Sequence, residues 1–133
     1  MITENFSWEE MQESRIARER GISNTPGTAE RAAMERLVRE LLQPLRDIYG
    51  QPIRITSGYR SAELNRLVGG VPDSQHTKGE AADCTIAGDI KDLYYILMES
   101  ELLFDQVIVY RKRNFMHLSL RTEKENRYRV MFQ

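Results

Sequence analysis

Hydrophobic positions in this chain follow a helical period first and a strand period later. Between about Thr28 and Tyr49, Leu37, Leu41, Leu45 and Ile48 recur at three- and four-residue steps, which predicts a long helix with one buried face. Pro44 lies inside that pattern and is expected to kink or divide the helix, and Gly50 to end it. Upstream, Ser7 with Glu10 three positions on has the form of a capping box. It predicts a helix from about Trp8 to Glu19 that stops at Gly21. Asn24-Thr25-Pro26-Gly27 reads as a turn. Trp8 and the leucine stripe are core material.

From Pro52 onward short alternating runs dominate. Pro52 to Thr56 reads as a strand with Ile53 and Ile55 on one face, and Ser61 to Val68 as a short helix. Gly69 to Ser74 is an irregular loop. Glu80 to Ile86 reads as a strand and Ile90 to Glu101 as a helix. Phe104 to Tyr110 and Phe115 to Leu120 read as strands joined by a solvated basic hairpin tip, Arg111-Lys112-Arg113. Alternation puts Asp105, Val107 and Val109 on the core side, and Gln106, Ile108 and Tyr110 on the other. The segment from Arg127 to Phe132 can add an edge strand. Helices come first and strands cluster late, so the expected class is α+β. N-terminal helices pack on a small, mainly antiparallel sheet.

The 133 residues suit one domain, 1–133, with one core. Basic and acidic residues nearly cancel at a formal charge of -1, so no nucleic-acid partner is expected. Cys84 is the only cysteine, which excludes an intrachain disulfide and a cysteine-based zinc cluster. Following Asp83 on a strand, it is expected to point into the core. The opening Met1-Ile2-Thr3-Glu4-Asn5-Phe6 lacks a basic start and an apolar run. No secretory signal is therefore expected, and the chain should be cytoplasmic at synthesis. No stretch approaches the ~20 apolar residues that cross a bilayer.

The chain has only two histidines, His76 and His117. His76 opens a run that ends at Asp83, with Gly79, Ala81 and Ala82 between them leaving room for close backbone approach. His117 lies on the later strand. Two imidazoles and a carboxylate make a suitable zinc tripod that leaves a position open for water. The spacing alone is not diagnostic, since a histidine near an aspartate is more often a surface pair or a satisfied core group. Arg60, after the Ser57-Gly58 turn, has as its bland reading a structural arginine pairing across that turn.

Two longer motifs change the weighing. Ser57-Gly58-Tyr59-Arg60-Ser61 and Ser74-Gln75-His76-Thr77-Lys78-Gly79-Glu80-Ala81-Ala82-Asp83 resemble the paired motifs of the M15-type zinc peptidases. Phe115-Met116-His117-Leu118-Ser119 resembles their closing motif. That family includes D-alanyl-D-alanine carboxypeptidases, dipeptidases and phage L-alanyl-D-glutamate endolysins, and the hedgehog signalling domain shares its fold. The resemblance runs from about Phe6 to Ser119. It implies zinc held by His76, Asp83 and His117, and a substrate that is a peptidoglycan stem peptide. It gives Arg60 a catalytic and substrate-binding role, holding a peptide carboxylate or the oxygen that gains charge at the tetrahedral stage. It gives Ser74 a substrate contact. Glu80 is either an exposed strand residue or a partner behind the ligands. A phage-type lysis route to the cell wall goes with the same resemblance.

The resemblance breaks at one place. Such peptidases usually carry an acid shortly before the last histidine, often three residues earlier, as general base and then acid. Here that position is Asn114, which reads as the vacant place of an acid, and no carboxylate occurs between Arg111 and Met116. Asp105 is the nearest upstream acid, and its face argues against it, so the general base is unassigned. Tyr110 is near the site but, with an ordinary pKa of about 10, is a poor base. The expected function is zinc-dependent hydrolysis of cell-wall peptides. The alternative is a zinc-binding module of the same fold without efficient hydrolysis. A plain α+β domain with no metal would leave the three ligands scattered.

Overall fold

The computed structural model describes all residues, Met1–Gln133. The N-terminal segment forms two short helices, α1 (Trp8–Gln12) and α2 (Arg15–Arg20), in place of the one expected. Glu13 is extended, and Ser14 caps a new helix by accepting from the Ala17 N–H, as Ser7 does from Glu10. A second capping serine inside the run gave the backbone a place to restart.

α3 (Thr28–Leu37) and α4 (Gln43–Tyr49) form one continuous helix through a π turn, Val38–Leu42. Pro44 has no N–H to give to the turn before it, and the wider turn absorbs that loss, with the Gln43 N–H reaching back to the Val38 carbonyl. The extra residue sets later positions back by about 100° around the axis. Leu37, Leu41 and Leu45 are fully buried, whereas Ile48, expected on the same stripe, is 55% exposed.

The remaining elements are β1 (Arg54–Ser57), α5 (Ala62–Leu67), a 3-10 turn (Gln75–Lys78), β2 (Ala81–Thr85), α6 (Ile90–Glu99), β3 (Gln106–Tyr110), β4 (Phe115–Ser119) and β5 (Arg129–Phe132). They build a five-stranded sheet in the order β1-β2-β4-β3-β5. Three of its pairings are antiparallel, and β5 joins β3 in parallel at the edge. The architecture is α+β, as expected. Val107, Val109, Met116, Leu118 and Cys84 face the helices, where they share one core with Met34, Leu37, Leu41, Ile90, Leu93 and Leu97. Trp8 packs against that core with the Arg31 guanidinium 4.0 Å over its ring.

The other sheet face has no helix layer across its middle strands, and it carries the chemistry. Asp83 on β2 stands opposite His117 on β4, and His117 stands opposite Ile108 on β3. Met131 follows on β5 in the same row. Tyr110 pairs with Phe115 in the next row.

Candidate metal centre

Three local devices bring the histidines to Asp83. The first is register: β2 and β4 pair so that Asp83 and His117 are direct cross-strand partners, with His117 Nδ1 3.0 Å from Asp83 Oδ1. A slip of one residue would send one side chain to the core. The second is the 3-10 turn that holds His76. Ser74 caps it by accepting from the His76 N–H at 3.2 Å. Gly79 closes it at φ 75, where a Cβ would overlap the Glu30 carbonyl. The third is Gly58. Its carbonyl lies 2.7 Å from His76 Nδ1, so that nitrogen donates and Nε2 keeps its lone pair for the site. Nε2 is 3.3 Å from the same Asp83 oxygen.

The three ligand atoms all lie within 4.8 Å of one another. A tetrahedral ion bound at about 2.0–2.2 Å sets its ligand atoms roughly 3.3–3.5 Å apart. The two distances to Asp83 Oδ1, 3.0 and 3.3 Å, are close to that spacing. The donor set therefore fits a single borderline-soft cation such as zinc. Burial alone would push the Asp83 carboxyl up. The imidazoles of His117 and His76 set against it outweigh burial and hold the group well below the ordinary carboxylate range. Asp83 is thus ionised at neutral pH, as metal ligation requires. Its neighbour Cys84 faces the core, and burial pushes that thiol up, so it stays inert.

Arg60 reaches the same group. Its Nη2 is 3.6 Å from Asp83 Oδ2, its Nε donates to Ser57 Oγ at 3.2 Å and its Nη1 to Asn65 Oδ1 at 3.3 Å. Its backbone N–H donates to the His76 carbonyl, so the two motifs are tied to each other as well as to the site. Ser74 is beside His76, and its hydroxyl is engaged with the turn. Glu80 is buried rather than exposed. One of its oxygens accepts from Thr122 and the other from Gln75, which joins the His76 turn to the loop after β4.

Neither candidate for the missing acid faces the centre. Asp105 is fully buried on the core side and accepts from Arg127 at 2.8 and 3.0 Å, with Arg121 3.3 Å away. Asn114 sits in the hairpin turn at φ 58, a conformation asparagine tolerates. Its side chain accepts from the Ile90 N–H and donates to the Gly88 carbonyl. The position read as an acid's vacant place instead fastens the β3–β4 hairpin to the start of α6. Burial pushes the Tyr110 hydroxyl above its ordinary value and the Asp83 carboxylate adds to the rise, while Arg113 and Arg60 oppose it.

Sequence reasoning passed over Asn65 and Asn24. Asn65, almost fully buried, accepts from Arg60 and donates to the Val71 carbonyl. A weak helix former in the middle of a six-residue helix was the available signal. Asn24, read only as part of a turn, donates to the Gln12 and Tyr59 carbonyls and accepts from the Ser61 N–H. It pins the N-terminal helices to the Arg60 turn.

The fold and the donor set define a class of protein: an α+β domain whose sheet brings together two histidines and one carboxylate that could hold a metal ion. A family model described as Peptidase M15 matches residues 4–119, and the chain belongs to that peptidase family. Peptidases of this family are typically metal-dependent. No curated protein matches the chain. No helix is long and apolar enough to cross a membrane.

Proposed function

We propose that this protein is a zinc-dependent peptidase that hydrolyses a peptide bond in the stem peptides of bacterial peptidoglycan. The observation that carries the reading is the convergence of His76 Nε2, Asp83 Oδ1 and His117 Nδ1, with the Arg60 guanidinium beside them. His76, Asp83 and His117 would hold zinc, which when bound would supply Lewis acidity toward a carbonyl and toward water near neutral pH. The protein's own groups supply the rest. The Gly58 carbonyl fixes the His76 tautomer. Arg60, held by Ser57 and Asn65, presents a planar fork to a substrate carboxylate or to the carbonyl oxygen as it gains charge. Ser74, at the rim of the His76 turn, is assigned a substrate contact. Ile108, Tyr110 and Phe115 form a partly apolar floor beside His117 for the aliphatic parts of the peptide.

A second reading has its own support. Asp105 is tied to two arginines and Asn114 to the α6 turn, so neither offers a base to the site. That favours a zinc-binding module of the same fold with little or no hydrolysis. One experiment separates the readings. Protein stripped of metal and reloaded with zinc is incubated with defined muropeptides, and products are identified by mass spectrometry. Release of terminal D-Ala gives a carboxypeptidase, and a cut between L-Ala and D-Glu gives an endopeptidase. Stoichiometric zinc without turnover gives the binding module. Failure to retain zinc would sink both.

A further inference from the structure

The site has an arginine and three ligands, but its hydrogen-bond donors to a reacting carbonyl are few. Tyr110 has the placement for that role. It lies on β3 on the same face as Ile108, and Ile108 is the direct partner of His117. Tyr110 is therefore diagonal to His117, and diagonal neighbours, about 7–8 Å apart, are within reach of an aromatic side chain. Its ring is fixed, stacked on Phe115 at 4.3 Å and 10°, and the Arg113 guanidinium lies 5.0 Å over Phe115. Its hydroxyl takes part in none of the hydrogen bonds that tie Arg60, His76 and His117 together. Burial is the largest influence on the phenol, and the charges that act on it are those of Asp83, Arg113 and Arg60.

We infer that Tyr110 is a catalytic residue, its phenol O–H donating a hydrogen bond to the carbonyl oxygen of the scissile bond as that oxygen becomes an oxyanion. This rests on the peptidase reading above. In the hydrolysis, a water oxygen bonds to the carbonyl carbon and the carbonyl π pair moves onto oxygen. The C–N bond then breaks, and the amine leaves with the protons that water released. Tyr110 keeps its own proton throughout, because a phenol with a raised pKa is a donor and not a base at neutral pH. It answers a different need from the absent acid: it stabilises the developing charge and leaves water activation to the site. A preorganised donor is worth most where charge develops in a partly water-excluded site. Tyr110 and Arg60 approach from different elements, β3 and the turn after β1, so together they can bracket one oxygen.

Tyr110→Phe tests this, since it keeps the ring and the stack and deletes only the hydroxyl. Zinc-loaded wild type and variant are compared for kcat and KM on a muropeptide that the wild type cleaves. They are also compared by calorimetry for affinity to phosphinate isosteres of D-Ala-D-Ala and L-Ala-D-Glu and to the cleaved peptide. The expected result is a kcat lower by about 10²–10³-fold with KM nearly unchanged. Affinity for the phosphinate should fall in parallel, while product affinity and zinc content stay the same. If kcat and phosphinate affinity stay within about twofold, the hydroxyl only faces solvent over Phe115 and the assignment is wrong. If KM rises and product affinity falls as much as phosphinate affinity while kcat is little changed, Tyr110 binds ground states and the assignment is also wrong. A wild type that cleaves no peptide and binds no phosphinate overturns the peptidase reading itself. A wild type that does both, beside an unchanged variant, overturns only Tyr110.

Discussion

Asp83 and His117 stand directly opposite one another on β2 and β4, with the imidazole Nδ1 3.0 Å from the carboxylate. The candidate metal centre is thus written into strand register. His76 is brought to the same carboxylate oxygen from a separate turn, so Asp83 is the common member of both pairs. Asp83→Asn keeps the shape and removes the charge. Zinc affinity should fall by more than the 10–100-fold typical of losing a group behind a ligand, about that much being the lower bound here. A metal competition titration reads this directly. Near-native affinity in the variant would mean that the ion, if bound, sits elsewhere.

Gly58 carries two duties that compete for space. Its carbonyl accepts from His76 Nδ1 at 2.7 Å, and a Cβ on it would overlap the Met11 carbonyl. The Tyr59 N–H donates to that same Met11 carbonyl, so α1 cannot simply move away. Gly58→Ala should cost about 1–3 kcal/mol of stability, the range for forcing a group into packed structure. Zinc affinity should also drop by about 10–100-fold as the His76 tautomer loses its anchor. Urea melts and zinc titration give the two numbers. A stable variant with unchanged zinc affinity would show that the carbonyl does not orient His76.

The buried Asp105 gives a prediction in pH. Burial raises its pKa, but the hydrogen bonds from Arg127 and the charges of Arg127 and Arg121 win, and the folded value lies below the ordinary one. A depressed carboxylate contributes stability that is present above the unfolded pKa of about 3.9 and is lost as pH falls through the folded value. Asp105→Asn should cost about 1–3 kcal/mol at pH 7. The full 3–5 kcal/mol of a broken buried pair, a rough ceiling, does not apply. Arg121 and Arg127 are a quarter to a third exposed and can turn to water. The gap between wild type and variant should then close below about pH 4. Zinc content should not change. If Asp105→Asn abolished hydrolysis with zinc still bound, Asp105 would be the base after all.

Asn114→Asp separates a vacant acid position from a structural one. The aspartate can still accept from the Ile90 N–H, but it cannot donate to the Gly88 carbonyl. A carboxylate at the N-terminus of α6 is favourable, which offsets part of the lost bond. The stability change should therefore stay within about 1 kcal/mol. Turnover should not rise, because the side chain is held at the turn before α6. A clear gain in kcat on the same muropeptide would show that the position does serve the site.

What the sequence disclosed follows from how local the signal was. Alternation in Phe104 to Tyr110 was enough to put Asp105 with Val107 and Val109 in the core, and all three are fully buried. The His76–Asp83 run and the His117 strand pointed at one centre through their resemblance to the M15-type motifs, since two histidines and an aspartate at that spacing were not diagnostic by themselves. Ile48 was misplaced because the period was continued through a proline whose cost was met by a π turn, and that shifted the phase. The break at Glu13 was hidden because Ser14 caps only in context. The partners of Asp105 and Glu80 lie far along the chain, in a segment whose path no local pattern fixes. That β5 pairs in parallel with β3 likewise depends on the crossing of the 120–128 segment, not on the strand's own residues.

Arg60 offers the sharpest test of shape against charge. Its guanidinium makes three directed approaches at once, to Ser57 Oγ, Asn65 Oδ1 and Asp83 Oδ2. Two of these are neutral acceptors that hold the fork in plane. The third is the carboxylate that also meets both histidines, so Arg60 balances the charge of Asp83 while keeping donor edges for a substrate. A lysine at this position keeps the positive charge but loses the fork, and its ammonium cannot satisfy Ser57 and Asn65 while facing the site. Arg60→Lys should therefore lower kcat/KM by about 10²–10³-fold, the range for a lost oxyanion donor. Asn65→Ala, which frees one arm of the fork without touching the site, should give a smaller loss in the same direction. It should also cost stability, since Asn65 is almost fully buried and donates to the Val71 carbonyl. Steady-state kinetics on one muropeptide with zinc content checked would decide it. Lysine activity equal to wild type would mean that charge alone is needed. Loss of zinc in Arg60→Lys would instead assign the arginine to holding Asp83.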